Sequence, residues 1–300
     1  MPTTNGLLLV DKPRGRTSHD VVAAVRKLMD ERRVGHAGTL DPLATGLLVL
    51  AVGPSTRLLR FAQSEVKRYC GTVRLGVATD SLDADGVVVD ERPVPPLSQD
   101  QMDLATSNFV GARLQVPPMV SAIQIGGQRL HELARQGIEV ARSAREVTIS
   151  SFRVTPGEDP ADWHFAVECS VGTYVRVLLS DLAHDLGTVG HLTTLRRVAS
   201  GHFRVEDALT LEELADALAS NATVLAPPSA FVEHLERIVL SDDDERRVRL
   251  GQRLARDEVL AAPEIAALNS AAQLVAVLRR RGDLWQPTVV LPFEPRTARG

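Results

Sequence analysis

The sequence is poor in the features that mark secreted, membrane-spanning and metal-binding proteins. Its two cysteines, Cys70 and Cys169, form no CxxC pair and are expected to be small buried side chains in a reducing compartment. None of the eight histidines shows the HxxxH spacing typical of zinc sites. No apolar stretch approaches the roughly 20 residues of a membrane span, and no signal-type segment opens the chain. We therefore expect a cytoplasmic protein without a metal or a membrane anchor.

Lysine is also scarce, and the charges are unevenly distributed. Only three of the 34 basic residues are lysines, and the net charge of −4 argues mildly against a polyanionic partner. However, residues 1–60 carry nine basic and five acidic side chains, a net charge of +4, whereas residues 201–300 carry twelve and sixteen, a net charge of −4. A local basic face near the N-terminus could therefore bind phosphate groups.

Apolar periodicity predicts a mixed α+β protein. A strand is predicted at 6–10, followed by a helix in "TSHDVVAAVRKLMDERR", where Thr17 and Asp20 have the spacing of a capping box. A second strand is predicted at 46–53. Further strands are expected in "KRYCGTVRLGV", at 147–154, at 163–170 and in "GHLTTLRRVASGHFRV", and further helices in "STRLLRFAQ", near 98–108 and after "CSVGTY".

The chain is expected to contain two domains. Residues 204–230 read as a helix followed by a Pro-containing linker, so we place a larger domain at 1–230 and a small, β-rich domain at 231–300. The second domain has one charged helical stretch and two β-like runs, "QLVAVLRR" and "PTVVLPF". Residues 117–143, with two prolines and two glycines before a short predicted helix, are expected to form a projecting loop.

One carboxylate stands out, in the segment "GHAGTLDPLATGLL". Asp41 precedes Pro42, and Asp before Pro is common in turns, where the side chain accepts hydrogen bonds from backbone N–H groups. The alternative is a functional carboxylate, because Asp41 lies near His36 on a loop that leads directly into an apolar strand. The residue types leave both interpretations open.

A second acidic segment, "TDSLDADG", has the appearance of a calcium-binding loop but fails the pattern. The first ligand position would be Ser81, and the twelfth, which should be a glutamate, is Arg92. No calcium site is therefore predicted.

Five segments together resemble one enzyme family. In this order and spacing, the chain resembles the bacterial tRNA pseudouridine synthase B (TruB) family over roughly residues 5–215, and its C-terminal part resembles a reduced PUA-type RNA-binding domain. The segments are "LLLVDKPRGRTSHDVV", "GHAGTLDPLATGLLVLAVG", "KRYCGTVRLGVATDSLDADG", "QVPPMVSAIQIGGQRLHELARQG" and "CSVGTYVRVLLSDLAHDLG". The resemblance implies a mixed, mostly antiparallel sheet flanked by helices.

The resemblance also implies an activity. It implies isomerisation of the T-loop uridine of tRNA to pseudouridine, without a cofactor or a metal, by an enzyme that extrudes the target base from the stack. The implied partner is the T-arm stem-loop of tRNA, with no membrane and no protein partner. We expect a monomer, since the RNA itself supplies a large interface.

Matching the family's motifs to this sequence implies roles for individual residues. Asp41 would be the catalytic carboxylate, acting either as a nucleophile or by removing a sugar proton. Arg176 would pair with Asp41 and keep it ionised, and Tyr69 would stack on the uracil and could accept the proton of C5. His36 would fill the space in the T-loop that the extruded nucleotide leaves. Four further residues complete the expected site: Lys12 supporting the catalytic loop, Asp83 near the flipped nucleotide, and Tyr174 and Leu195 lining the pocket.

Two other functions are compatible with parts of the pattern. A glycoside hydrolase would use Asp41 with a second acid such as Asp83, held about 5 to 10 Å apart, and would not need Arg176. An RNA-binding or RNA-folding module would use the loop carboxylate only structurally. The adjacent Arg196 and Arg197 are expected on a solvated face that touches phosphate.

Overall fold

The structure is a computed structural model that describes residues 4–63, 66–120, 124–125, 128–129, 138, 140–255 and 262–292. Its strands fall into two large sheets and two short hairpins. The strands are β1 (Gly6–Lys12), β2 (Val34–His36), β3 (Thr45–Val52), β4 (Val66–Leu75), β5 (Val77–Thr79), β6 (Val88–Glu91), β7 (Gly111–Gln115), β8 (Gln124–Ile125), β9 (Gln128–Arg129), β10 (Arg145–Pro156), β11 (Asp162–Ser170), β12 (Gly190–Ser200), β13 (Phe203–Arg204), β14 (Glu236–Val239), β15 (Leu254–Ala255), β16 (Glu264–Leu268), β17 (Leu274–Arg281) and β18 (Leu284–Val290).

The first helix begins where its capping signal predicts. Thr17 and Asp20 form the predicted capping box before the first helix, and Thr210 with Glu213 forms another. The α-helices within the described residues are α1 (Ser18–Met29), α2 (Gln99–Ser107), α3 (Val175–Asp185), α4 (Leu211–Ala219) and α5 (Asp242–Arg249). The segment predicted as a short helix after β3 is a 3₁₀ helix, Gly53–Phe61, with Pro54 in its first turn.

The main sheet has nine strands and is mostly antiparallel, which confirms the expected fold class. Its order is β1-β3-β12-β4-β11-β10-β7, with β2 paired to β3 and β13 paired to β12. Among the described strands of this sheet, one pairing is parallel and joins β3 to β12, where Arg196 lies opposite Thr45 and Arg197 opposite Gly46. This pairing brings the strand that follows Asp41 beside a strand some 150 residues later in the chain.

Both faces of the main sheet are covered. On one side, β1 and β3 pack Leu8, Leu48 and Leu50 against α1 and α4. Elsewhere, β4, β10, β11 and β12 form a larger core with α2 and α3, to which Tyr69, Val73 and Leu75 all contribute. The segment "KRYCGTVRLGV" was expected to be one strand, but β4 ends at Leu75 because Gly76 has a positive φ, and Val77 lies in β5.

The C-terminal part contains more strands than the sequence predicts. Five strands form a sheet of order β14-β16-β17-β18-β15, with a core that includes Ile265, Leu278 and Trp285. The sequence signals only the last two of these strands, since β16 is alanine-rich and β14 and β15 are short. A shared apolar cluster, including Val49, Phe231 and Val277, packs this sheet against the main one.

Residues 121–123, 126–127, 130–137 and 139 of the predicted loop 117–143 lie outside the described residues. Within the described part of the loop, β8 and β9 form a short antiparallel pair. The helix predicted within that loop also lies outside the described residues. The boundary between 1–230 and 231–300 stays a prediction. None of the helices in the described part of the chain is both long and apolar enough to cross a bilayer.

Candidate active site

Asp41 lies on the loop between β2 and β3, and two polar side chains hold this loop from below. Lys12, fully buried at the end of β1, donates from Nζ to the carbonyls of Pro42 (3.3 Å), Arg16 (2.6 Å) and Pro13 (2.9 Å). Ser18 binds both backbone groups of Leu40, accepting from its N–H (2.9 Å) and donating to its carbonyl (3.1 Å). The backbone on each side of Asp41 is therefore fixed by α1 and β1.

Two glycines let this loop pass close to other parts of the chain. Gly38 and Gly46 have φ values of +96° and +98°, which favour glycine. A Cβ on Gly46 would lie 2.3 Å from the carbonyl oxygen of Arg197, so a side chain there is also sterically excluded. The loop thus enters β3 in direct contact with the backbone of β12.

Arg176 contacts the loop that carries Asp41, the turn after β5 and the backbone at Val120. Its guanidinium, buried in the first turn of α3, lies 3.0 Å from Asp41 and 3.3 Å from Asp83. It also donates to the carbonyls of Ser81 (2.8 Å) and Val120 (3.0 Å). The predicted ion pair between Arg176 and Asp41 is therefore present, as part of a larger network.

The surroundings of Asp41 shift its pKa in opposite directions. Its side chain keeps 39% of its surface exposed, so a ligand can reach it. The surrounding protein nevertheless displaces water and raises the pKa of Asp41, while the positive charge of Arg176 opposes that rise and the negative charge of Asp83 adds to it. The ionisation of Asp41 therefore depends on its two charged neighbours.

Asp83 is buried in the turn after β5. Ser81 donates from Oγ to its carboxylate at 2.6 Å, and the N–H of Asp85 donates at 3.2 Å. Leu82 adopts a left-handed φ of +63°, and its backbone bonds to Leu192 on β12. Since Asp83 is only 6% exposed, it faces Arg176 and not an open cleft.

The expected pocket residues Tyr69 and Leu195 belong to the core beneath Asp41. Both are more than nine-tenths buried and lie on the neighbouring strands β4 and β12. Burial raises the pKa of Tyr69, and the nearby positive charge of Arg197 opposes this rise. The Tyr69 hydroxyl is therefore neutral at physiological pH.

Gln115, which was not among the predicted site residues, holds the backbone of Tyr174. Tyr174 is the N-cap residue of α3, and its backbone N–H and carbonyl both bond to the side-chain amide of Gln115, at 2.8 and 3.1 Å. Gln115 is buried at the end of β7, an edge strand. This contact positions the start of the helix that carries Arg176.

His36 lies at the end of β2 and is half-buried. Burial lowers the pKa of His36, and the proximity of His19 lowers it further. The two rings meet edge to face, with centroids 5.5 Å apart. His19, in the first turn of α1, was not among the predicted site residues, because only the fold brings it beside His36.

The expectation that Arg196 and Arg197 share a solvated face is wrong for Arg197. Consecutive residues of a strand point to opposite faces, so only one of them can reach solvent. Arg196 is partly exposed and pairs with Asp11, whereas Arg197 is completely buried beneath the Asp41 loop. Lys67, on β4, is buried close to it.

The sequence-predicted site is thus assembled from distant segments. Arg176 brings together Asp41 and Asp83, and Lys12 holds the loop that carries Asp41. Tyr69 and Leu195 lie in the same apolar core as Leu40, Tyr174 caps the helix that carries Arg176, and His36 contacts His19. Among the residues that the structure describes, no group of three His, Cys, Asp or Glu side chains is arranged to share a metal ion.

Family models match this architecture. Residues 26–175 match the N-terminal domain of the TruB family of pseudouridylate synthases, and residues 176–243 match a tRNA pseudouridylate synthase B C-terminal domain. The second match begins within α3, so each of the two matched segments contributes one member of the Asp41–Arg176 pair.

Individual relatives are similar over most of their length. The chain is 42% identical to the tRNA pseudouridine synthase B of Thermobifida fusca over 293 residues, which cover 95% of this chain and 98% of the relative. It is 43% identical to the Moorella thermoacetica protein of the same name over 288 residues, covering 93% and 94%.

Solved structures share the fold. A Cbf5–Nop10–Gar1 complex contains a chain with a TM-score of 0.69 and 25% identity, covering 91% of this chain and 78% of that one. An H/ACA ribonucleoprotein bound to a substrate RNA containing 2′-deoxyuridine gives a TM-score of 0.72 at 23% identity, covering 96% and 85%. The two family models, together with relatives that are 42% and 43% identical over more than nine-tenths of the chain, show that the chain belongs to the TruB family of pseudouridylate synthases.

Proposed function

We propose that this enzyme converts the T-loop uridine of tRNA, at position 55, to pseudouridine, and that Asp41 is its catalytic carboxylate. In this reaction the bond between C1′ and N1 breaks, the uracil turns, and a bond forms between C1′ and C5. The proton on C5 is lost and N1 gains one, so the product is an isomer of the substrate. The reaction is neither a redox step nor a net hydrolysis.

The observation that carries the proposal is the ion pair between Asp41 and Arg176. The carboxylate is accessible to a ligand, yet its charge is matched at 3.0 Å by a buried guanidinium. An arginine in this position favours the ionised carboxylate in surroundings that would otherwise favour the neutral acid. A structural Asp–Pro turn needs no such buried counter-charge.

An ionised Asp41 could act in either of two ways. It could attack the sugar or the base as a nucleophile, or it could remove a proton from the sugar. In both cases the target nucleotide must leave the base stack to expose its C1′ atom. We assign Tyr69 to stacking on the extruded uracil, with Leu195 and Tyr174 lining the pocket, and His36 to the vacated position in the T-loop.

The glycoside-hydrolase alternative is not favoured by the geometry. That mechanism requires two carboxylates that both face the sugar. The carboxylate of Asp83 accepts a hydrogen bond from Ser81 and pairs with Nη1 of Arg176, whereas Asp41 pairs with Nη2, so the guanidinium lies between the two carboxylates. We therefore assign Asp83 to the support of Arg176 next to the flipped nucleotide.

Tritium release tests the proposal. A tRNA transcript labelled with tritium at uridine C5 is incubated with the wild-type protein, with Asp41→Asn and with Asp159→Asn, a surface carboxylate as the matched control. We expect release by the wild type and by Asp159→Asn, none by Asp41→Asn, and RNA affinities within a few-fold of each other, because binding depends mainly on phosphate contacts and stacking.

A second transcript tests the target position. Replacing the T-loop uridine by cytidine should abolish release by the wild type, and continued release would contradict the assigned position. If the wild type binds tRNA but releases no tritium from either transcript, the RNA-binding module becomes the better explanation.

A further inference from the structure

Among the described residues, Arg197 is the largest fully buried side chain, and it forms no ion pair with any carboxylate of that part of the chain. A buried guanidinium without a counter-charge is costly, so it is retained only where it performs a task that an apolar side chain cannot. The hydrogen bonds of Arg197 indicate what this task is.

The guanidinium binds the catalytic loop at both ends. Its Nε donates to the carbonyl of Leu47 at 2.7 Å, and its Nη2 donates to the carbonyl of Gly38 at 3.2 Å. These two residues bracket Asp41, three positions after Gly38 and six before Leu47. One planar side chain therefore fixes the distance between the two ends of the loop.

The backbone of Arg197 holds the same loop a second time. Arg197 is paired with Gly46 in the parallel contact between β3 and β12. The two backbones lie so close together that a side chain at position 46 would collide with the carbonyl of Arg197. Neither contact involves solvent. This distinguishes Arg197 from its neighbour Arg196, which is paired with Asp11 at the surface.

We propose that Arg197 is a positioning residue, which holds the 38–47 loop so that Asp41 stays within ion-pair distance of Arg176, and that it does not itself bind RNA. The proposal rests on the proposed function only in taking Asp41 as the catalytic carboxylate. A misplacement of about 1 Å at the reacting group can lower a rate about 100-fold, so this positioning has a measurable consequence.

Two substitutions test it. Arg197→Lys keeps the charge but loses the planar fork that reaches both carbonyls. Arg197→Met fills the space and removes the desolvation cost of the guanidinium, but it also loses both hydrogen bonds to the loop. Arg74→Met, in which an exposed arginine of the same sheet is replaced, is the matched control.

The rate at saturating tRNA and the RNA affinity are measured separately. We expect the rate to fall about 100-fold in both Arg197 variants while the dissociation constant for tRNA stays within a few-fold of the wild-type value. The control should match the wild type in both. Weaker RNA binding with an unchanged saturating rate would overturn the proposal and make Arg197 an RNA contact.

The pH profile separates positioning from a general loss of structure. The Asp41 carboxylate faces Arg176, Asp83 and Lys12. If the loop shifts in Arg197→Lys, Asp41 moves away from Arg176 and its pKa rises, so the acidic limb of the rate profile moves to higher pH although no charge has been removed. An unmoved limb with a normal rate would overturn the proposal.

Two further outcomes are informative. If neither Arg197 variant folds, the residue serves the stability of the sheet and the specific positioning role is overturned. If the wild type itself releases no tritium, the proposed function fails, which is distinguishable from a failure confined to the Arg197 variants.

Discussion

The guanidinium of Arg176 lies between two carboxylates, 3.0 Å from Asp41 and 3.3 Å from Asp83, and only Asp41 is accessible to a ligand. One buried positive charge is thus shared between an accessible and an inaccessible negative charge. The two neighbours act on Asp41 with opposite signs, since Arg176 lowers its pKa and Asp83 raises it. Opposite pH effects are therefore expected when each is replaced.

Replacing Arg176 by methionine should raise the pKa of Asp41. Without the guanidinium, burial and the charge of Asp83 both favour the neutral acid, so the acidic limb of the rate profile should move to higher pH and most turnover should be lost. Tritium release measured across the acidic limb of the rate profile checks this, with Arg74→Met as the control. An unchanged profile would show that the ion pair does not govern ionisation.

Replacing Asp83 by asparagine should have the reverse effect. Asparagine can still accept the hydrogen bond from Ser81, but it no longer repels the charge on Asp41. The pKa of Asp41 should fall, and the acidic limb should move to lower pH. The same rate profile is measured for Asp159→Asn, which should not move. A shift to higher pH would mean that Asp83 acts mainly by holding Arg176 in place.

Lys67→Met should stabilise the protein at pH 7. Lys67 is a buried residue whose ammonium has no hydrogen-bond acceptor among the described residues, and burial lowers its pKa to about 8. Between this value and the ordinary 10.5 the unfolded chain binds more protons, so the free energy of unfolding rises with pH in that window. Removing the buried charge should raise that free energy at pH 7 by roughly 1–3 kcal/mol and reduce its pH dependence.

Lys12→Met provides the contrast, measured by the same urea titrations. Burial also lowers the pKa of Lys12 to about 8, but its ammonium binds three carbonyls. Removing it leaves these carbonyls unpaired, so Lys12→Met should destabilise the protein. If both variants were destabilised equally, burial of the charge would not be the decisive difference between these two lysines.

Gly46→Ala should be far more destabilising than Gly15→Ala. Both glycines have positive φ values, +98° and +83°, but only Gly46 faces another backbone, whereas a Cβ on Gly15 would meet nothing within 4 Å. The φ preference alone costs about 1–2 kcal/mol, and the steric conflict with Arg197 adds to it at Gly46. Urea unfolding of the two variants measures the difference. Equal losses of unfolding free energy would show that the backbone of β12 at Arg197 can move to make room for the added Cβ.

Local patterns predicted much of the fold because the local forces agree with the final structure. The capping box at Thr17 and the alternation in β4 act over a few residues, and both appear where the sequence places them. The strands of the C-terminal sheet were missed because alanine-rich or very short segments acquire strand structure from their partners and not from their own preference.

The site was predictable only in part, for a related reason. The motifs around Asp41 and Arg176 can be read locally, and their ion pair follows from the family resemblance. Other features of the site depend on contacts between segments that are distant along the chain. They are the burial of Arg197 and Lys67, the hydrogen bonds between Gln115 and Tyr174, and the contact between His19 and His36. No local pattern encodes such contacts.

The parallel pairing of β3 with β12 has a consequence for the order in which the protein acquires its site. The loop with Asp41 is an early product of the ribosome, but its supports at Arg176 and Arg197 are synthesised well over a hundred residues later. Contacts so distant along the chain form late in folding, because their loop-closure entropy must be overcome first. A nascent chain that ends before β12 therefore contains the candidate catalytic carboxylate but not the strand that supports its loop. We expect catalytic activity to appear only once β12 has joined the sheet.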